Sequence, residues 1–288
     1  MRPDAEHRHP AAGPDDPRST DSRRALLGRL IDHAALFPPA SLDMPAALEA
    51  DRQARDSPEA WMLDRFIVPA SRLGELPEDT PRLSVVLDRG EGDLDVIAQH
   101  DVVLLEGRID PEWIPETQAL VDAKLGVPTF WELPPGRGLA GEVAAVQEAG
   151  AGAKIRCGGL TADAFPPVEA VAEFVLACRD AGVRFKATAG LHHPIRRVDP
   201  ETGFHMHGFL NLLAAAVFAH QGADDVIPVL AEEDPTAFTV DAGGIAVHGW
   251  RADGEAIAAA RAELFVAYGS CSFSEPVDDL TALGILPL

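Results

Sequence analysis

Lysine is almost missing from this chain: it occurs three times in 288 residues, at Lys124, Lys154 and Lys186, while arginine supplies the rest of the 24 basic side chains. Basic charge is scarce overall, since 46 acidic residues leave a formal net charge of −22. A surface that acidic repels nucleic acid and anionic membranes, and no basic stripe offsets it, so neither is expected as a partner. Cysteine is scarce and odd in number (Cys157, Cys178, Cys271). That excludes an even disulfide framework and predicts a reduced, cytoplasmic compartment. No run of ~20 uncharged apolar residues is present, so no membrane span is expected. The N-terminus lacks the basic-then-apolar order of a secretory signal. No G-x-G-x-x-G or P-loop follows a predicted strand, which argues against nucleotide binding. Ser270 and Ser272 lie in no G-x-S-x-G elbow, which argues against a serine hydrolase.

What is present is a globular composition, 47% hydrophobic,. Residues 1–22 are rich in Asp, Arg, His and Pro with no apolar period and read as a disordered tail. Residues 23–288 read as one domain. After a short helix over 24–31, strands are predicted at 34–37, 65–68, 83–87, 102–106, 129–133, 153–157, 184–189 and 264–268, with helical patterns between most of them. Eight strands with interleaved helices predict a (β/α)8 TIM barrel, with an open doubly wound sheet as the alternative. An insertion at about 191–262 separates the last two strands. It holds His192, His193, His205 and His207, a helix over 208–220 and a hairpin turning at Asp241-Ala242-Gly243-Gly244. It is too long for a simple crossover, so a lid or a homo-oligomer contact is expected there. The final apolar residues of 277–288 are expected to pack back on the barrel.

Side chains on a barrel strand alternate between the interior and the helix layer. In Ala153-Lys154-Ile155-Arg156-Cys157 the apolar set must face the helices, which turns Lys154 and Arg156 inward. In Phe185-Lys186-Ala187-Thr188-Ala189 the same argument turns Lys186 and Thr188 inward. Two earlier strands end in Glu106 and Glu132. Four consecutive strands thus bring charge to their C-terminal ends, where barrel enzymes carry their active sites. An internal salt-bridge network among these residues is a second reading and does not exclude the first. Neighbouring strands lie ~4.8 Å apart, so Lys154 and Lys186 repel each other, and one of them is expected to lose its proton more easily. A neutral lysine can attack a carbonyl and form a Schiff base, with a carboxylate shuttling protons. Guanidinium cannot do this, which gives the rare lysines their interest.

Three short motifs resemble class I aldolases of the deoxyribose-phosphate aldolase type. Asp32-His33-Ala34-Ala35-Leu36 is similar to that family's D-H-T-L-L. Lys154-Ile155-Arg156-Cys157-Gly158-Gly159 stands where the family has K-T-S-T-G-F, and Lys186-Ala187-Thr188-Ala189-Gly190 where it has K-A-S-G-G. The last strand ends in Gly269-Ser270-Cys271-Ser272, loosely like G-T-S-S-G. The resemblance covers roughly 31–190. It implies that Lys154 forms the imine, that Lys186 lowers its pKa, and that an aspartate of the fourth strand, Asp101 by local pattern, serves as acid and base. Parity allows only one of Asp101 and Glu106 to face inward, and Glu106 is preferred. The family's phosphate-holding glycine pair is replaced by Ala189-Gly190-Leu191-His192-His193, which points away from a phosphorylated substrate.

The expected function is therefore a Schiff-base aldolase or lyase acting on a small carbonyl compound, without a cofactor. Lys154, Lys186, Glu106 and Glu132 are its catalytic candidates; Arg156, Thr188, His192, His193 and His207 are its substrate-binding candidates. One alternative is a metal-dependent lyase or hydrolase built on the His192/His193/His205/His207 cluster. There His193, His205 and His207 would hold a divalent ion such as zinc. Residues 204–215 also look somewhat like the metal-binding H-x-H-N segment of the HMG-CoA lyase family, although no Asn or Asp follows His207 directly. Another alternative is a barrel without catalysis that binds a ligand. Cys157 and Cys271 lie near strand ends, but no base stands at a diagnostic spacing from either, so both are expected to be packing residues.

Overall fold

The computed structural model describes residues 21–90, 92–136 and 138–288, so the predicted tail over 1–22 lies almost wholly outside the described residues. Eight parallel strands close into a barrel: β1 (Ile31–His33), β2 (Leu63–Pro69), β3 (Leu83–Val86), β4 (Val102–Gly107), β5 (Thr129–Glu132), β6 (Gly152–Arg156), β7 (Phe185–Thr188) and β13 (Phe265–Ser270). They follow one another around the circumference in chain order, with β13 pairing β1 to close the ring. This is a (β/α)8 TIM barrel, and the open sheet is set aside.

Around it lie α1 (Ser22–Leu27), α2 (Met44–Arg55), α3 (Asp93–Ile97), α4 (Ile114–Lys124), α5 (Leu139–Glu148), α6 (Val168–Ala181), α7 (Phe209–His220), α8 (Ile227–Ala231), α9 (Gly254–Glu263) and α10 (Ser274–Ala282). A parallel sheet needs apolar cover on its outer face. Phe185 supplies it at β7, with its ring edge-on to Phe174 of α6 at 5.4 Å and stacked on Phe265 of β13 at 4.9 Å. Trp131 of β5 likewise faces outward and donates from Nε1 to Gln118 of α4 at 2.9 Å.

The first strand sits three residues earlier than the sequence suggests, at Ile31–His33 rather than 34–37. Ala34 to Phe37 are small or apolar and read as strand by composition, but they form the turn that follows it. The shift matters because it puts Asp32 in the barrel wall.

The long segment between β7 and β13 is less of an insertion than its length implies. Helix α7 is buried from Phe209 to Ala219 and packs on α6, α9 and β13. A helix apolar on nearly every side needs that enclosure, and its buried Asn211 is satisfied by the Val229 and Glu232 carbonyls,. It is the seventh crossover helix, not part of a lid. The predicted hairpin forms as β10 (Thr239–Asp241) and β11 (Gly244–Val247) and gains a third strand, β12 (Trp250–Ala252). This sheet packs on α1 and α7. A two-residue ribbon, β8 (Arg197–Val198) with β9 (His205–Met206), lies just after the β7 loop. The chain end packs back as expected, with Leu280, Ile285 and Leu286 buried. Among the described residues no helix is long and apolar enough to cross a membrane.

Candidate active site

Lys154 and Lys186 are direct register partners on β6 and β7, as the alternation argument requires. Both side chains are buried in the barrel with Glu106 and Glu132. The network has two sectors of different tightness. In the first, Lys186 Nζ donates to Asp32 Oδ2 at 2.5 Å and to Glu106 Oε1 at 2.6 Å, so its side chain joins β7 to β1 and β4. Ser84 of β3 adds its hydroxyl to Glu106 Oε1 at 2.8 Å. Arg65 of β2 forks onto Asp32, with NH1 3.2 Å from each carboxylate oxygen. In the second sector, Lys154 Nζ lies 3.3 Å from both Glu106 Oε2 and Glu132 Oε2. Arg156, whose side chain is 50% exposed, reaches Glu132 at only 3.5 Å. Glu106 belongs to both sectors, one oxygen to each lysine.

These contacts correct the electrostatic expectation for Lys186. Burial works against its ammonium, but Asp32 and Glu106 outweigh burial and raise its pKa,. It is a locked cation rather than a group poised to lose its proton. Its charge is also matched by two carboxylates, which removes the reason to treat it as the lysine that unsettles Lys154. Burial would push the Glu106 carboxyl up; the two ammonium groups beside it prevail and hold it far below the usual carboxylate range. Glu106 is thus held as an anion between the two ammonium groups. Asp101 is exposed ahead of β4, at the opposite end of the barrel from the strand termini, and Glu106 is the inward acid of that strand.

The loops after β6 and β7 bring further groups to the same end. Ala189 (φ 60°) and Gly190 (φ 71°) both adopt left-handed backbone directly after Thr188. A Cβ on Gly190 would lie 2.9 Å from Gly158 Cα and 3.1 Å from the Cys157 carbonyl, so glycine permits the two loops to touch,. This turn delivers His192 to α10 and the end of β13. His192 Nδ1 pairs with Glu275 Oε2 at 2.8 Å, and its Nε2 lies 3.8 Å from Cys271 Sγ. His193 Nδ1 pairs with Asp279 Oδ2 at 2.6 Å, one helical turn further along α10. Thr188 is partly exposed at the end of β7.

The predicted metal set does not assemble. His193 is tied to α10, His205 is exposed beside Glu233 at 3.6 Å, and His207 donates from Nε2 to the Pro166 carbonyl at 2.7 Å. Burial pushes the His207 imidazole down to about 4, so it is neutral. Among the described residues no group of three or more His, Cys, Asp or Glu side chains is placed to hold an ion. β9 ends at Met206, so His207 lies past the strand and turns inward to the Pro166 carbonyl while His205 stays at the surface.

Two surface depressions of about 360 and 630 Å³ lie around the N-terminal ends of β5 to β7 and of β7 and β13, away from the charged layer. The ionic layer and its facing loops make the better candidate, because the polar groups converge there.

No protein-family model and no curated protein matches the chain. Solved structures of similar fold include an archaeal fructose-1,6-bisphosphate aldolase with its catalytic lysine bound to a carbinolamine intermediate. It is 12% identical over 93% of this chain and 94% of that one, with a TM-score of 0.43. A mandelate oxidase is 15% identical over 70% of this chain and 71% of that one, with a TM-score of 0.41. A 7,8-dihydropteroate synthase from Vibrio fischeri ES114 is 10% identical over 72% of this chain and 92% of that one, with a TM-score of 0.40. Likenesses this remote carry no argument about the chemistry of this chain, and its barrel rests on the strand order alone.

Proposed function

We propose that the chain is a lyase of the Schiff-base aldolase type, acting on a small carbonyl compound through Lys154. The observation that supports this is the contrast between the two buried lysines. Lys186 is held at 2.5 and 2.6 Å by two carboxylates and is fully enclosed, whereas Lys154 has only 3.3 Å contacts and retains a little exposure. An amine that must leave its ion pair to attack a carbonyl needs that slack.

In this reading the Lys154 ammonium gives a proton to Glu132 and its nitrogen lone pair adds to the substrate carbonyl carbon. The carbonyl oxygen takes up protons and leaves as water, which yields the iminium. Glu132 then removes a hydroxyl proton, while Glu106 stays an anion that balances the charge of the site. The adjacent carbon–carbon bond breaks, its electron pair moves into the iminium, and an aldehyde departs from an enamine. Proton return and hydrolysis free Lys154. Arg156, at the open end of this sector, meets an anionic substituent of the substrate. Thr188, His192, His193 and His207 stand as neighbours of the bound compound.

The test is borohydride reduction in the presence of small aldehydes and ketoacids, read by peptide mass spectrometry. A reduced adduct on Lys154, absent from Lys154→Met, is the expected result. Folded protein giving no adduct on Lys154 across the panel overturns the reading and favours a ligand-binding barrel.

A further inference from the structure

The sequence offers no base at a diagnostic spacing from any cysteine, yet the fold supplies one. Cys271 follows β13 directly and is partly exposed. His192, 79 positions earlier in the chain, turns its Nε2 toward Cys271 Sγ at 3.8 Å. Its other nitrogen, Nδ1, is taken by Glu275 Oε2 of α10 at 2.8 Å. The order is thiol, imidazole, carboxylate, with the two ring nitrogens divided between the outer groups. A nucleophile facing a base that a third group orients is the arrangement that nucleophilic catalysis requires. The neighbouring pair, His193 with Asp279, copies the imidazole–carboxylate half. Pinning the loop to α10 accounts for that second pair; it does not account for an imidazole turned to a thiol.

We propose that Cys271, His192 and Glu275 form a second reactive centre at the barrel mouth, a thiol nucleophile for activated acyl compounds such as thioesters and reactive esters. The Cys271 proton passes to His192 Nε2 and the sulfur adds to the acyl carbon, whose carbonyl electron pair moves to oxygen. Collapse expels the alcohol or thiol, which takes the proton back from His192 and leaves an acyl group on Cys271. Water, losing a proton to His192, then attacks the acyl carbon, and the Cys271 sulfur departs and is reprotonated. The net reaction is hydrolysis and needs no further reactant. Glu275 acts through His192 and is a positioning residue. Burial disfavours the His192 cation, but its contacts with Cys271 and Glu275 prevail and raise its pKa to about 9,. The other thiols are built differently. Cys157 and Cys178 are fully buried, and burial pushes the Cys157 thiol up to about 12. They serve as internal controls.

The full-length protein is treated with 4-nitrophenyl acetate at pH 7, with nitrophenol release followed by absorbance and acetylated peptides located by mass spectrometry. The expected result is acetyl on Cys271 and not on Cys157 or Cys178, with release slowed about tenfold or more in His192→Gln. Glu275→Gln is expected to lower the acylation rate constant while leaving the half-saturating ester concentration unchanged. Acetyl confined to other residues, or His192→Gln reacting as fast as the unaltered protein, overturns the proposal. Cys271→Ser keeps the two centres distinguishable: it loses the acetyl but still gives the borohydride adduct on Lys154 if the aldolase reading holds. Thermal unfolding of each variant checks that it is folded.

Discussion

The charged layer of the barrel divides into a closed half and a slack half, although both are built from the same residue types. Around Lys186 the ammonium's own contacts are short and its partners sealed: 2.5 Å to Asp32 and 2.6 Å to Glu106, with Ser84 2.8 Å from Glu106; only Arg65, at 3.2 Å from Asp32, is looser. Around Lys154 the contacts lengthen to 3.3 Å and end in the half-exposed Arg156. Position on the ring accounts for the difference. Lys186 reaches past β13 to Asp32 on β1 and past β6 and β5 to Glu106 on β4. Lys154 pairs with Glu132 on its own neighbour β5 and with Glu106 on β4, one strand further. Residue type alone therefore does not say which lysine does chemistry; the number and tightness of its partners do.

Removing Lys186 is the strongest way to break the comparison. Lys186→Met leaves Asp32 and Glu106 as buried carboxylates with one cation fewer, and a cost of about 3–5 kcal/mol is expected. Lys154→Met leaves Glu106 with Lys186 and Ser84, and Glu132 with Arg156, so roughly 1–2 kcal/mol is expected. Urea unfolding midpoints, at unchanged slope, give both numbers. Equal losses would mean that the two halves are equally tight.

The carboxylates extend the contrast into pH. Glu106 is held below its unfolded value of ~4.3, so its ionised form stabilises the fold,. That contribution is complete above ~4.3 and is lost as pH falls through the lower folded value, because the unfolded chain then binds the extra proton. Glu106→Gln removes it. The variant is expected to be about 3 kcal/mol less stable at pH 7, and the gap to the unaltered protein should narrow as pH is lowered from about 5 to 2. Glu132→Gln, which removes 3.3 and 3.5 Å contacts, should change the stability less. Urea titrations at a series of pH values check the order of the two.

The alternation of polar and apolar residues was enough to read Lys154, Lys186, Glu106 and Glu132 as one inward layer, because each lies on a strand whose outer face must be apolar. The same rule would have found Asp32, had β1 been placed at Ile31–His33. Its flanking residues misled because Ala34, Ala35, Leu36 and Phe37 carry the stronger apolar signal while forming only a turn. Ser84 is a single polar residue inside an apolar strand, and Arg65 follows Asp64 near the start of β2; such positions were the available clue. The Cys271–His192–Glu275 set was not legible. Its members come from a loop, a strand end and a helix, and only barrel closure through β13 and β1 brings the ends of β7 and β13 together. The histidine cluster misled in the opposite sense, since nearness in sequence gave no nearness of the rings.

The smallest effect on stability should come with the clearest effect on ligand choice. Arg156 is half-exposed and its one contact in the layer is 3.5 Å long, so Arg156→Ala is expected to change stability by less than about 1 kcal/mol,. Its guanidinium is nevertheless the cation at the open end of the slack half, where a carboxylate substituent of a substrate would arrive. Loss of one charge-assisted contact corresponds to about a tenfold change in the concentration needed for half-maximal trapping. That change is expected for ketoacids such as pyruvate and not for a neutral aldehyde such as propanal, with both titrated by borohydride reduction on Lys154. An equal weakening for acid and aldehyde would show that Arg156 supports the Lys154 ion pair rather than the ligand. It would also move the boundary between the closed and slack halves out to the rim of the barrel.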